Sequence, residues 1–161
     1  MRVRLARTGD FPAIVEMLEG AGLYTGGVDE RVQRFLVAER PDSPEKERLA
    51  GTVGMEVYGR SGLLRSFVVE RKSWSPDLGI SMFGAAMALA KRLQLQDLFL
   101  LSKTVHPLFL ALGFQPVEWD KAPREMRESE HVRQIRADAG VLMRLDMEEY
   151  DIMKGEMDEK G

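Results

Sequence analysis

The chain contains no cysteine and two histidines in 161 residues. Without thiols it can form neither disulfides nor thiolate metal sites, and a cysteine nucleophile is excluded. His106 and His131 have no neighbouring carboxylates at a metal-ligand spacing. We therefore expect neither a structural nor a catalytic metal.

Long hydrophobic runs are also missing. No apolar segment approaches the roughly 20 residues of a membrane-spanning helix, and the N-terminal MRVRLARTGD lacks the apolar core of a signal peptide. The composition, 44% hydrophobic and 30% charged, is typical of a globular protein. These absences predict a cytoplasmic protein that does not bind membranes.

The net charge of −3 is unevenly distributed. Residues 148–161 carry six acids and two lysines, whereas residues 1–147 carry 21 basic and 20 acidic side chains. A nearly neutral body argues against nucleic-acid binding. The length suits one domain, which we place at residues 1–147, followed by a solvated acidic tail at 148–161.

Hydrophobic periodicity predicts alternating strands and helices. Strands are expected at 3–6, 35–39, 49–59, 63–69, 97–101, in FQPVEW from 114, and at 140–147. Helices are expected at 11–22, 29–35, 78–95, 105–112 and 122–136.

Two connections define the expected topology. The three strands between residues 35 and 69 follow one another directly, as in a β-meander. The helix at 78–95 then joins strand 63–69 to strand 97–101 as a β-α-β crossover, which predicts that these two strands are parallel. The predicted fold class is α+β, with a mixed, mostly antiparallel sheet flanked by helices.

Three segments carry a resemblance to the GNAT-superfamily acetyltransferases. They are VGMEVYGRSGLLRSFVV (53–69), LFLLSKTVHPLFLALGFQPV (98–117) and AGVLMRLDM (139–147). They look like the small amino-acid N-acetyltransferase branch, which includes the acetyltransferase domain of N-acetylglutamate synthases and the arsenic-resistance acetyltransferases. The resemblance covers residues 2–147 and implies a GNAT-like sheet.

The resemblance implies acetyl-CoA as cofactor. Its pantetheine arm is expected to pair with the strand at Phe67, Val68 and Val69. Its pyrophosphate is expected on the loop that opens the next helix, because free N–H groups and the positive helix end attract anions. The loop residues so implicated are Trp74, Ser75, Asp77, Leu78, Gly79 and Ile80. The resemblance also suggests a homodimer, since GNAT folds often pair through the later strands of the sheet.

The loop WSPDLGIS departs from the R-G-x-G-x-G pattern of that branch. Trp74 stands at the arginine position, Ser75 and Asp77 replace the first two glycines, and Gly79 is retained. Pro76 removes a backbone donor, and an aspartate brings negative charge toward the pyrophosphate.

Two interpretations of this loop remain open. In one, CoA binding is impaired. In the other, Asp77 points outward while Arg71 and Lys72 supply the positive charge.

Acid–base candidates for acetyl transfer are Glu56, Ser102 and His106. A histidine has a pKa suited to proton transfer near neutral pH, but His106 also fits a helix-start residue without chemistry. Ser102 equally fits a hydroxyl that satisfies the end of a strand. Many GNAT enzymes have a tyrosine where this chain has Phe109.

Three arginines are candidates for binding a small-molecule amine substrate that carries a carboxylate. Arg65 lies on an interior strand, where a charge needs either a substrate carboxylate or a protein partner such as Glu56. Arg133 and Arg136 precede the last strand, near which the resemblance to the glutamate-acetylating enzymes implies an arginine that helps hold the amino-acid substrate. Both also fit a solvated helix face.

Two functions follow from the sequence. The first is an acetyl-CoA-dependent N-acetyltransferase that acetylates a small amino acid or amino-acid-like compound. The alternative is a catalytically degenerate GNAT-fold protein that binds a ligand or a protein partner.

Overall fold

A computed structural model describes residues 1–23, 25–26, 34–44, 47–102, 107–130, 132–134 and 140–160. Its strands form a seven-stranded sheet in the order β1-β2-β3-β4-β5-β7-β6. The strands are β1 (Arg2–Leu5), β2 (Phe35–Glu39), β3 (Leu49–Tyr58), β4 (Ser61–Val69), β5 (Asp97–Ser102), β6 (Gln115–Val117) and β7 (Val141–Asp146).

Several α-helices accompany the sheet, and the structure gives full bounds for those named below. They are α1 (Phe11–Gly20), α2 (Pro76–Arg92), α3 (Pro107–Ala111), α4 (Arg124–Arg127) and α5 (Met147–Lys160). Short 3₁₀ turns cover Thr8–Asp10, Arg71–Ser73 and Trp119–Lys121. No helix in this part of the chain is long and apolar enough to cross a bilayer.

The chain forms two compact units, of which the first contains residues 1–56 and 64–92. Here β1 and β2 pair antiparallel, as do β2 and β3. Helix α1 places Ile14 and Leu18 against the core side of these strands, because residues four apart lie on one helical face. The core cluster of this unit is Ala6, Ile14, Leu18, Phe35, Val37 and Leu49.

The second unit contains residues 57–63 and 93–161. Strand β5 is its centre: it pairs parallel with the first residues of β4 and antiparallel with β7, which pairs with β6. Phe99 and Leu142 are buried where β5 and β7 meet the short helix α4. The core cluster of this unit is Leu63, Phe99, Ala122, Met126, Val132 and Leu142.

The sequence-based fold class is confirmed. The sheet is mostly antiparallel, and β4 and β5 form the predicted parallel pair on either side of the α2 crossover, with Leu63 opposite Phe99. Strand β2 occupies the predicted residues 35–39. Most of the predicted helix at 29–35 lies outside the described residues. The single domain at 1–147 stays a prediction.

Several helix boundaries differ from the prediction, and three of the differences have a local reason. Helix α2 begins at Pro76 rather than 78, because proline is favoured in the first turn of a helix. The predicted helix at 122–136 is divided, since the hydroxyl of Ser129 accepts the N–H of Val132 and caps a second helical segment. The acidic tail is helical, and Asp146 caps that helix by accepting two backbone N–H groups.

Candidate functional site

Strand β4 lies between β3 and β5 in the sheet, and its pairing with β5 is confined to its first residues. Its β3 side is occupied, as the Glu70 N–H that donates to the Ala50 carbonyl at 2.9 Å shows. On the other side, the pairing with β5 covers Ser61–Leu63 and ends there. Within the described residues, no further strand pairing is seen on this side of β4 beyond Leu63.

The backbone of β4 is distorted at the start of this edge. Ser66 has a φ of +59°, a left-handed conformation that costs a non-glycine residue of order 1 kcal/mol. Beyond it, Phe67 is exposed, whereas Val68 packs against the core of the first unit. Such distortions re-aim side chains and backbone groups next to binding sites. No sequence signal marks Ser66, because serine has no special preference for this conformation.

Arg65 precedes the distortion and is almost completely buried, with 2% of its side chain exposed. Its guanidinium donates to the Gly26 carbonyl at 2.8 Å and to the Ser66 hydroxyl at 3.0 Å. The Glu56 carboxylate, also buried, lies 3.9 Å away. Of the two interpretations of Arg65 from the sequence, the ion pair with Glu56 is thus present in the structure.

An aromatic ring completes the surroundings of Arg65. The guanidinium carbon lies 5.8 Å from the centroid of the Phe35 ring, within the range of a cation–π interaction. Phe35 is paired with Gly54 across β2 and β3, and its ring covers that glycine. Sequence reasoning missed both Phe35 and Gly26, because these contacts join residues that are far apart in the chain.

The predicted pyrophosphate loop leads into the first turn of α2. Ser75 is the N-cap: its hydroxyl accepts the Leu78 N–H and its carbonyl accepts the Gly79 N–H, each at 3.1 Å. Pro76 has no N–H to offer. Among positions 76 to 79, this leaves the N–H of Asp77 for a ligand. Serine followed by proline is a recognisable helix-start signal that the sequence contained.

The indole of Trp74 covers the start of the helix. A Cβ added to Gly79 would lie 2.9 Å from the Cη2 atom of that ring. Trp74 itself is 49% exposed, so the ring separates Gly79 from solvent on one side. Asp77 and Ile80 are exposed. The backbone at Gly79 is therefore not open to the close approach that a glycine normally allows.

The segment before the loop is anchored by Arg40. Its guanidinium donates to the carboxylate of Glu70 and to the hydroxyl of Ser73, and its backbone N–H donates to the Arg48 carbonyl at 2.7 Å. Arg71 and Lys72, between these two acceptors, are exposed. The 3₁₀ turn therefore fixes the backbone of Arg71 and Lys72, while their side chains remain exposed to solvent.

The remaining predicted site residues lie in the second unit or outside the described residues. Ser102 ends β5 opposite Val141 and is half-buried. Arg133 is exposed on a helical segment, and its N–H donates to the Ser129 carbonyl. His106 and Arg136 lie outside the described residues, so their predicted roles stay predictions.

No family model and no curated protein matches the sequence. Solved structures do match. Rv2747 from Mycobacterium tuberculosis, solved in complex with CoA and a second ligand, is 25% identical with a TM-score of 0.74, over 91% of this chain and 99% of that one.

The fold is that of the GNAT acetyltransferases. N-acetylglutamate synthase from Neisseria gonorrhoeae, complexed with coenzyme A and N-acetyl-glutamate, has a TM-score of 0.75 at 18% identity over 91% of this chain. Only 35% of that synthase chain is covered, so the likeness concerns one part of it. A GNAT-family acetyltransferase from Staphylococcus aureus has a TM-score of 0.69 at 8% identity, over 91% of this chain and 98% of that one.

Two features of the first unit are relevant to ligand binding. On one side of β4, no strand pairing is seen beyond Leu63 in the described residues, and extended chains of amides bind such edges through main-chain hydrogen bonds. At the start of α2, Ser75 accepts the N–H groups of Leu78 and Gly79, and Pro76 has no N–H.

Proposed function

We propose that this GNAT-fold protein is an acetyl-CoA-dependent N-acetyltransferase that acetylates the amine of a small amino acid or amino-acid-like compound. The observation that carries the proposal is that, in the described residues, the pairing of β4 with β5 ends at Leu63 while β4 continues to Val69. An added strand or an amide chain gains main-chain hydrogen bonds at such an edge. The similar structures crystallised with CoA support the same assignment.

The reaction transfers an acetyl group without a change of oxidation state. The amine nitrogen forms a bond to the thioester carbonyl carbon, the carbon–sulfur bond breaks, and the proton released by the amine is balanced by protonation of the leaving thiolate. Both proton transfers need a side chain or water. Glu56, Ser102 and His106 are our candidates, and the Glu56 carboxylate lies 3.9 Å from the Arg65 guanidinium.

Arg65, Arg133 and Arg136 are our candidates for binding a substrate carboxylate. For Arg65 this role requires the guanidinium to exchange its contact with Gly26 or Glu56 for the substrate. We therefore expect Arg65→Lys, which keeps the charge but loses the forked donor geometry, to raise the KM for the amine more than it lowers kcat. Equal KM values in both proteins would remove Arg65 from substrate binding.

A thiol-release assay tests the proposed activity directly. Because the chain contains no cysteine, a thiol reagent detects free CoA without any background from the protein. Acetyl-CoA is incubated with a panel of amino acids and related amines, and the acetylated product is confirmed by mass spectrometry. Turnover of at least one amine is the expected result. Absence of turnover across the panel, with no calorimetric binding of acetyl-CoA, would reject the proposal.

One observation favours a second candidate, a GNAT-fold protein without catalytic activity. The first turn of α2 combines Pro76, the carboxylate of Asp77 and the Trp74 ring over Gly79. Each of these features works against pyrophosphate binding. This candidate predicts no turnover of any amine, so a single acetylated product excludes it.

A further inference from the structure

The two parts of the candidate donor site differ in how well they suit their ligand groups. In the described residues, the pairing of β4 with β5 ends at Leu63, whereas at the helix start the N–H of Leu78 already donates to Ser75. We infer that the protein recognises its thioester donor through the pantetheine arm and gains little affinity from the pyrophosphate. The inference rests on the proposed function and specifies which donors the site accepts.

Backbone donors are the first reason. A pyrophosphate at a helix start binds N–H groups that have no partner within the helix. Here Pro76 has no N–H, and the N–H of Leu78 already donates to the Ser75 hydroxyl at 3.1 Å. A phosphate oxygen would have to displace this cap to reach Leu78, so the exchange gains little.

Access to the backbone is the second reason. At a close approach, a glycine lets a phosphate come near the chain. The Trp74 ring lies where a side chain on Gly79 would be, at 2.9 Å from its ideal Cβ position. The glycine therefore accommodates the indole instead of a ligand.

Charge is the third reason. Asp77 is exposed in the first turn, where its carboxylate repels a pyrophosphate. Arg71 and Lys72 are the cations of the preceding turn, and both are exposed, so salt screens their attraction for a phosphate. Arg40, whose guanidinium also lies at this turn, is engaged by Glu70 and Ser73.

A series of truncated ligands tests this inference by isothermal titration calorimetry. Pantetheine carries no phosphate, 4′-phosphopantetheine carries one, and CoA carries the pyrophosphate with its nucleotide. We expect the three dissociation constants to lie within about tenfold of one another, because the shared arm supplies most of the affinity. CoA binding about a hundredfold more tightly than pantetheine would overturn the inference.

Two variants examine the cause. Asp77→Asn removes the carboxylate charge, and Ser75→Gly releases the N–H of Leu78 while glycine remains acceptable as an N-cap. Each should tighten CoA relative to pantetheine, by about tenfold for the charge change at low salt. Glu19→Gln, at an exposed acid on α1, is the control for loss of one negative charge. If the CoA-to-pantetheine affinity ratios of both variants equalled the ratio measured for Glu19→Gln, the inference would be contradicted.

The outcomes separate this inference from the proposed function. S-acetyl-pantetheine and acetyl-CoA are compared as donors by their kcat/KM values with the same amine. Turnover with acetyl-CoA at least a hundredfold above that with S-acetyl-pantetheine would leave the function standing and remove the inference. No binding of any member of the series, with no turnover, would remove both.

Discussion

The ring of Phe35 lies directly over Gly54, its neighbour across β2 and β3. A Cβ on Gly54 would be 2.6 Å from the ring Cζ atom, well inside van der Waals contact. Because the Phe35 ring is 1% exposed and supports the guanidinium of Arg65, it has little room to move. Gly54 is therefore a packing requirement of the site and not a matter of backbone conformation.

Gly54→Ala should accordingly destabilise the protein by about 3 kcal/mol, at the upper end of the usual cost of overpacking. Urea denaturation measures the change. Gly84→Ala is the matched control, since Gly84 lies in the exposed face of α2 with nothing within 4 Å of an added Cβ. That variant should gain roughly 1 kcal/mol of helix propensity. Similar changes in the free energy of unfolding for both substitutions would show that the Phe35 ring moves to make room for the added methyl group.

Trp74 and Gly79 should show energetic coupling. In a Trp74→Ala background, Gly79→Ala meets no ring and should stabilise α2 by about 1 kcal/mol through helix propensity. With Trp74 present, the new methyl group has to displace the indole, so the gain should shrink or reverse. A double-mutant cycle by urea denaturation gives the coupling energy. Identical effects of Gly79→Ala in both backgrounds would mean that the ring does not rest on this position.

Arg65 and Glu56 form a buried pair whose members depend on each other. Arg65→Met leaves the Glu56 carboxylate buried beside an apolar side chain, which should cost roughly 3 kcal/mol. Combining it with Glu56→Gln removes the buried charge and should recover part of that loss. Thermal and urea denaturation of the two single variants and the double variant measure this. Additive costs would contradict the pairing.

Stability should fall in acid through a charge cluster at the start of the chain. Arg4 donates to both carboxylate oxygens of Asp10, at 2.8 and 3.1 Å, and its guanidinium lies 3.0 Å from the Glu39 carboxylate. These hydrogen bonds from Arg4 lower the pKa of Asp10 and of Glu39 in the folded state. As the pH falls, these two carboxyl groups therefore become protonated at a higher pH in the unfolded chain than in the folded protein. The stabilisation is present above the pKa values of the unfolded chain, near pH 4, and is lost as the pH falls through the lower pKa values of the folded state.

Arg4→Met should flatten this acid-induced decline, because both carboxyl groups lose their main hydrogen-bond donor. Urea denaturation at intervals between pH 7 and pH 3 tests the slope. Arg124→Met removes the exposed Arg124–Glu128 pair and serves as the control, with a smaller effect expected because solvent screens that pair. An unchanged slope in Arg4→Met would assign the acid sensitivity to other groups.

Much of the fold could be predicted because it depends on local patterns. The apolar run at 35–39 predicts β2 at its observed bounds. The helix between 63–69 and 97–101 predicts that β4 and β5 are parallel, since a crossover of that kind joins parallel strands. Boundaries fail where a single cap decides them, as Ser129 and Asp146 do for the helices that follow.

The candidate site was only partly predictable. The strand at Phe67 and the loop from Trp74 to Ile80 were identified from their resemblance to the GNAT acetyltransferases. Nothing in the sequence indicated that the indole of Trp74 lies on Gly79, since the loop conformation decides that contact. Likewise, Gly26 has no side chain, so no sequence pattern marks it, yet its carbonyl accepts a hydrogen bond from Arg65, 39 positions away in the chain.

By itself, the sequence determined the order of strands and helices and the chemistry the chain lacks, because periodicity, caps and composition act over a few residues. Only the tertiary structure decided where along β4 the pairing with β5 ends and which donors at the start of α2 already have partners. Those properties depend on where strands diverge and on which hydroxyl or ring reaches a neighbouring turn. Several segments, some of them distant in the chain, can bind the same backbone groups, and the packing of the folded protein decides which segment does so.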